Sequence, residues 1–313
     1  MPADAVDITP GLLRRWPLPE PAGDKEARGR VLVIGGTAHT PGAVLLAGEA
    51  VLRAGAGKLQ IATADSVAAA VAVAVPEALV VPMPTSPDGS LAPASGERLL
   101  ELAQAADAVL VGSGFSDVGA TLALMDVLVP ALDGPLVLDA VASAFLGEHG
   151  GDVHHLDGRC VVSANPGEVA KTLGVDESEV VSDPGAAAGS LAADAGLVVL
   201  CGGRTKTVAS PEGRLWSSHS GGPGLGVSGS GDVQAGVVAG LLGRGADADQ
   251  AAVWAAHLHG VAGDELAREV GTVGFLAREI AARVPRLVED LAPDGLRAHA
   301  VGQSVKRRPV RRS

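Results

Sequence analysis

The sequence predicts one α/β domain built on a doubly wound, mostly parallel sheet with helices on both faces. Two features carry that expectation. Short Val/Leu/Ile-rich runs alternate with longer alanine-rich segments, and the short runs are apolar at nearly every position. Strands buried on both faces read as continuous apolar runs, and strand–helix alternation gives a parallel sheet. With 313 residues, 47% of them hydrophobic, the chain can fill one large core.

Taken in order, strands are expected at residues 30–34, 58–62, 108–111, 135–139, 160–163 and 197–200. Helices are expected between them, for example at residues 43–54 and 118–132. Residues 205–209 and 214–217 flank Pro211-Glu212-Gly213 and read as a hairpin. The remainder, 231–291, reads as mainly helical. Residues 1–28, with Pro17, Pro19 and Pro21, form a lead-in segment. Residues 29–291 are expected to form the main α/β domain, and 292–313 a basic tail. That tail carries Lys306-Arg307-Arg308 and Arg311-Arg312 and is expected to be a disordered end.

A formal net charge of −12 argues against nucleic acid, and aromatic residues at 2%, with no Tyr, remove the usual base-stacking platforms. No signal peptide or membrane span is evident. The two cysteines, Cys160 and Cys201, cannot build a disulfide framework or a zinc site, so a reducing cytoplasm is expected. Cys201 reads as a small buried residue rather than a nucleophile. His257 and His259 lie two apart in a helical stretch and face different directions, which argues against a shared metal. His154-His155 reads as solvent-facing.

Residues 221–236 hold the most informative stretch. Glycines at 221, 222, 224, 226, 229 and 231 precede a segment with helical character from Asp232 to Leu242. Val233, Val237 and Leu241 share one face. Ala235/Gly236 and Ala239/Gly240 give a small-residue face that another element can approach closely. A glycine loop feeding a helix aims free N–H groups and the positive dipole end at one spot, which suits a phosphate. Asp232 in the first turn can take a proton from a substrate hydroxyl, or can simply cap the helix. No Gly-Lys-Ser/Thr follows, so this is not a P-loop.

These residues, with Gly29 to Gly36, Thr40-Pro41-Gly42-Ala43, Arg53-Ala54-Gly55-Ala56-Gly57, Val75-Pro76-Glu77, Gly112-Ser113-Gly114, Asn165-Pro166-Gly167-Glu168 and Gly229-Ser230-Gly231-Asp232, occur in an order that resembles the ribokinase-like superfamily. More closely, the chain resembles the ADP/ATP-dependent NAD(P)H-hydrate dehydratases, over residues 8–283. The resemblance implies a ribokinase-like sheet and repair of hydrated NADH or NADPH. In that reaction a nucleotide phosphorylates the added hydroxyl and phosphate then leaves. It implies Asp232 as catalytic base and contacts from Ala43, Gly114, Asn165 and Asp232 to the hydrated cofactor. Cys201, Gly202, Gly203, Arg204, Thr205, Ser230 and Gly231 would contact ADP or ATP, with Mg²⁺ on the phosphates and Glu168 helping indirectly to hold it. It also implies a homo-oligomer, expected as a tetramer. A separate NAD(P)H-hydrate epimerase is the expected partner, because the strand at residues 30–34 starts too early to leave room for a fused one.

The chain departs from the family pattern at three places. Asn165 stands where the family usually has His, so Asn165-x-x-Glu168 is closer to the motif of ribokinase-like kinases. Cys201 replaces a lysine, which Arg204 or Lys206 could offset. Thr40 stands where an aromatic is common. The alternative activity is therefore a small-alcohol kinase of the hydroxyethylthiazole type, which keeps its phosphorylated product. A nucleotide-binding protein without turnover is a third reading, opposed by the intact Gly231-Asp232.

Overall fold

The computed structural model describes residues 5–20, 23–149 and 153–292. The basic tail predicted from Lys306 to Arg312 lies outside the described residues. Among the described residues, ten strands form one sheet: β1 (Val6–Asp7), β2 (Arg30–Ile34), β3 (Lys58–Ala64), β4 (Ala78–Met83), β5 (Ala108–Val111), β6 (Leu136–Asp139), β7 (Cys160–Ala164), β8 (Val198–Cys201), β9 (Lys206–Ala209) and β10 (Leu215–Ser218). Their spatial order is β1-β10-β9-β8-β7-β6-β5-β2-β3-β4. Strands β2 to β8 run parallel, β9 is antiparallel to both β8 and β10, and β1 lies parallel to β10.

All the strands expected from the sequence are present, with ends shifted by one or two residues, and β9–β10 is the expected hairpin. Two more appear at the sheet edges. β4 is apolar from Ala78 to Met83 but carries Pro82 and is largely half-exposed, and β1 has only two residues. Pro is tolerated there because an edge strand need not donate on both sides.

Alternation along each strand feeds two core layers. Val31 and Val33 of β2 join one layer with the helices Pro41–Arg53, Ser230–Gly243 and Ala248–Glu269. Leu32 and Ile34 join the other, with residues of Gly96–Gln104, Val118–Leu128, Pro166–Leu173 and Pro184–Ala195. Among the described residues, no helix is long and apolar enough to cross a membrane.

The chain runs outward from β2 to β3 to β4, then returns to the other side of β2 to begin β5. That reversal opens a crevice at the carboxyl ends of β2 and β5, where open α/β sheets bind ligands.

The small-residue face of Ser230–Gly243 packs on the Pro41–Arg53 helix as its composition predicts. A Cβ on Gly236 would lie 2.3 Å from the Ala47 carbonyl oxygen, and one on Gly240 would lie 2.5 Å from that of Val51. Backbone, not a flexible side chain, is in the way. We therefore expect Gly236→Ala to lose about 1–3 kcal/mol through overpacking. This outweighs the gain of about 1 kcal/mol from better helix propensity. Gly42→Ala, where nothing lies within 4 Å, should be neutral or stabilising. Urea unfolding of the two variants checks this, and equal midpoints would contradict the close-packing account.

Candidate active site

The glycine-rich segment ends at Gly229, which takes a left-handed conformation and begins the Ser230–Gly243 helix without a side-chain cap. Asp232 is thus a first-turn residue and not the cap. The first helical bond runs from the Val233 N–H to the Gly229 carbonyl at 3.2 Å, so the N–H groups of Gly231 and Asp232 precede it. Gly231 is exposed, and nothing lies within 4 Å of the place a Cβ would occupy. The result is an open helix start, with N–H groups of the kind that suit an anion and a carboxylate beside them.

His259, from the Ala248–Glu269 helix, fixes this start from behind. Its Nε2 lies 2.9 Å from Ser230 Oγ and 3.0 Å from the Ser230 carbonyl oxygen. A carbonyl only accepts, so Nε2 carries the proton. Burial, first, and then the charge of Lys206 push the ring down to about 3 and keep it neutral.

Asp232 faces two further carboxylates. Asp139, at the end of β6, is 5% exposed and accepts a 2.8 Å hydrogen bond from Ser113 Oγ. Burial raises it to about 8, reinforced by the charge of Asp232. Burial also raises Asp232 to about 6; the Ser113 hydroxyl pulls it back and Glu168 pushes it up. Like charges this close do not ionise together easily, so Asp139 keeps the proton and Asp232 is the carboxylate. Ala140, just after Asp139, has φ +47°, a costly conformation for a residue with a Cβ. Gly112, at φ +121°, accommodates this turn because a Cβ there would strike the Asp139 carbonyl oxygen at 2.0 Å.

Glu168 reaches the same space from the other side. Asn165 and Glu168 form a capping box at the start of Pro166–Leu173, with Asn165 Oδ1 accepting from the Glu168 N–H and Glu168 Oε2 accepting from the Asn165 N–H, both at 2.9 Å. The Asn-x-x-Glu pattern therefore has a complete local reason to exist in this fold. Glu168 is half-buried rather than fully solvated, and burial raises its pKa.

The profile of the NAD(P)H-hydrate dehydratase family matches residues 31–286. The chain belongs to that family. It is 45% identical, over 91% of its length and 96% of the relative's, to the ADP-dependent (S)-NAD(P)H-hydrate dehydratase of Xanthomonas campestris pv. campestris. It is 34% identical to the bifunctional NAD(P)H-hydrate repair enzyme of Moorella thermoacetica, covering 88% of this chain but about half of that protein (52%). The ADP/ATP-dependent NAD(P)H-hydrate dehydratase of Bacillus subtilis, co-crystallised with ATP and Mg²⁺, superposes with a TM-score of 0.76 at 26% identity over 92% of this chain and 99% of that one. The fold is ribokinase-like.

Within this dehydratase-family fold the residues singled out from the sequence gather at neighbouring strand ends. Ala43 and Gly114 touch: a Cβ on Gly114 would lie 2.8 Å from the Ala43 Cβ. Thr40 Oγ1 donates to the Gly114 carbonyl. The Gly202 N–H donates to the Ala164 carbonyl at 2.7 Å, which sets the loop after β8 beside Asn165. Gly203 and Arg204 are exposed, and Thr205 Oγ1 is 3.5 Å from His219 Nδ1. Cys201 is fully buried, and burial raises its thiol to about 12, so only its backbone is available to a ligand. His259 commits its Nε2 to Ser230, while the Nδ1 atoms of His257 and His259 are buried without a hydrogen-bond partner among the described residues. His154 and His155 are exposed, with ring nitrogens on backbone carbonyls of Asp194, Val129 and Leu132.

Sequence reasoning missed Asp139, Ser113 and the His259–Ser230 link as site components. In the sequence Asp139 closes an apolar strand, and a carboxylate at the carboxyl edge of a parallel sheet is itself a signal.

The raised pKa of Asp139 gives a stability test. Its folded value lies above the unfolded one of about 3.9. Its contribution is complete below about pH 4 and is lost as pH rises through about 8. Asp139→Asn, which keeps an acceptor for Ser113, should flatten the decline of the urea midpoint across that window. Parallel profiles for variant and wild type would show that Asp139 carries no such proton.

Proposed function

We propose that this chain returns hydrated NADH or NADPH to the intact cofactor by nucleotide-dependent dehydration, with Asp232 as the base. The observation that carries the reading is one carboxylate, raised to about 6, standing in the first turn of an open glycine-loop helix. The hydrated ring sits against Ala43 and Gly114 on one side and Asn165 on the other. Asp232 removes the hydroxyl proton, and that oxygen attacks the terminal phosphorus of the nucleotide. The Gly231 and Asp232 N–H groups, with the backbone of the loop from Cys201 to Thr205, hold the phosphates, while Ser230 is held by His259. The phosphorylated ring then expels phosphate and loses a neighbouring proton, restoring the ring double bond. With ADP the products are AMP, phosphate and NAD(P)H. Phosphorylation is needed because hydroxide leaves poorly and phosphate leaves well.

Among the described residues, no group of three His, Cys, Asp or Glu side chains forms a metal cage. That fits Mg²⁺, which is bound mostly through substrate phosphates and water with one or two carboxylates. Glu168 is the carboxylate we assign to it, and the bound ion would neutralise charge on the phosphates. The Xanthomonas relative's name favours ADP and the (S) hydrate. A separate epimerase as functional partner is supported by the bifunctional relatives, of which this chain spans about half. Two buried, unpaired cysteines suit a cytoplasmic setting, and a homotetramer is our proposed assembly.

The kinase reading loses its main support, since Asn165-x-x-Glu168 is accounted for as a capping box. The experiment supplies hydrated NADPH, Mg²⁺ and either ADP or ATP, and follows the dihydronicotinamide absorbance with phosphate release. Recovery should require the nucleotide. Asp232→Asn should lower kcat by about 10²–10⁴-fold, the usual worth of a positioned base. Wild-type kcat/KM should fall as pH drops through about 6, because the base must be ionised. Phosphorylated hydrate accumulating without absorbance recovery would replace this reading with the kinase.

A further inference from the structure

Lys206 opens β9. Because β9 is antiparallel to β8, its first residue lies at the carboxyl end of the parallel strands, where Cys201 pairs with Thr207 and Ser218 with Lys206. Side chains alternate along a strand. Val208, on the same side as Lys206, packs in the layer beneath the Ala248–Glu269 helix. Lys206 is only 4% exposed. Its Nζ ends at the start of the glycine-rich segment, 3.2 Å from the position of a Cβ on Gly221. Gly221 has no side chain, so only backbone separates the ammonium from the loop.

Among the described residues, no hydrogen bond or ion pair holds this ammonium. Asp264 acts on it from a distance, but its Oδ2 is engaged with the Gly221 N–H at 3.1 Å. Burial therefore pulls Lys206 down to about 8. Its charge also reaches His259, which holds Ser230. A buried cation whose nearest counter-charge, Asp264, is engaged elsewhere is costly in the free protein, and a bound anion would offset that cost.

We propose that Lys206, and not the exposed Arg204, supplies the positive charge that receives the nucleotide's phosphate oxygens beneath the glycine-rich loop. This rests on the nucleotide-dependent reading above. Lys206→Met and Lys206→Gln test it in the full chain, by calorimetry with ADP and Mg²⁺, steady-state kinetics and thermal unfolding of the free protein. Loss of a charge-assisted hydrogen bond should weaken ADP binding about 10- to 100-fold. KM for the nucleotide should rise, and KM for the hydrate should stay within about twofold of wild type. The free variants should melt at or above the wild-type temperature, because an unpaired buried charge has been removed. Unchanged ADP affinity, or a lower melting temperature with both KM values raised together, would make Lys206 structural and overturn the proposal. A wild type that turns over hydrate with no nucleotide would overturn the nucleotide-dependent reading instead, and this proposal with it.

Discussion

The contact on which the site depends is the backbone-close packing of Ser230–Gly243 on Pro41–Arg53. Glycines at 236 and 240 bring the later helix within reach of the Ala47 and Val51 carbonyls, a spacing that larger side chains would not permit. Both helices start at the crevice. The earlier one carries Ala43 in its first turn, next to Gly114, and the later one carries Gly231 and Asp232. Gly229 is held against Leu46 by the same packing. One contact therefore sets the separation between the region we assign to the hydrated ring and the base beside it.

Electrostatics works against this arrangement and explains its details. Asp139, Glu168 and Asp232 converge where we propose that a phosphate binds, and each has a raised pKa from burial. Three anions around a fourth would repel it. The structure relieves this in steps. Asp139 is held protonated beside the Ser113 hydroxyl, which leaves Asp232 as the carboxylate most easily ionised. Glu168 spends one oxygen on the Asn165 N–H. The helix start offers free N–H groups. An environment that splits like groups into an acid and a base is the ordinary way proteins prepare a base near neutral pH.

How much of this could be read from the chain follows from how local each feature is. Central strands buried on both faces announce themselves, as Val31–Ile34 and Ala108–Val111 do. β4, although as apolar from Ala78 to Met83 as those strands, does not, because Pro82 argues against a strand. The glycine loop with Asp232 is local and was legible. The Asn165–Glu168 box is equally local, but its spacing fits both helix capping and phosphate chemistry, and only the paired 2.9 Å bonds show that the capping is real. Ser113 with Asp139, 26 positions apart, and Ser230 with His259, 29 apart, are products of topology. No period or spacing in the sequence encodes them.

Cys201, standing where the family resemblance implies a lysine, acquires a physical reading through the sheet register. Cys201 lies in the core layer shared with Ala209, and its thiol is too buried and too weakly acidic to ionise. Its neighbour across the antiparallel pair is Thr207, so Lys206 stands one residue away and on the opposite face. A charge at residue 206 thus lies on the other face of the sheet from the Cys201 side chain. It would approach the phosphates from the side of the Ala248–Glu269 helix, under Gly221, and not from the side of Asn165. On that side the helix contributes Asp264 to tie the loop and a neutral His259 to tie Ser230. A cation there strengthens the anion site without forming an ion pair with Glu168, which stays free to act on the carboxylates and phosphates across the crevice.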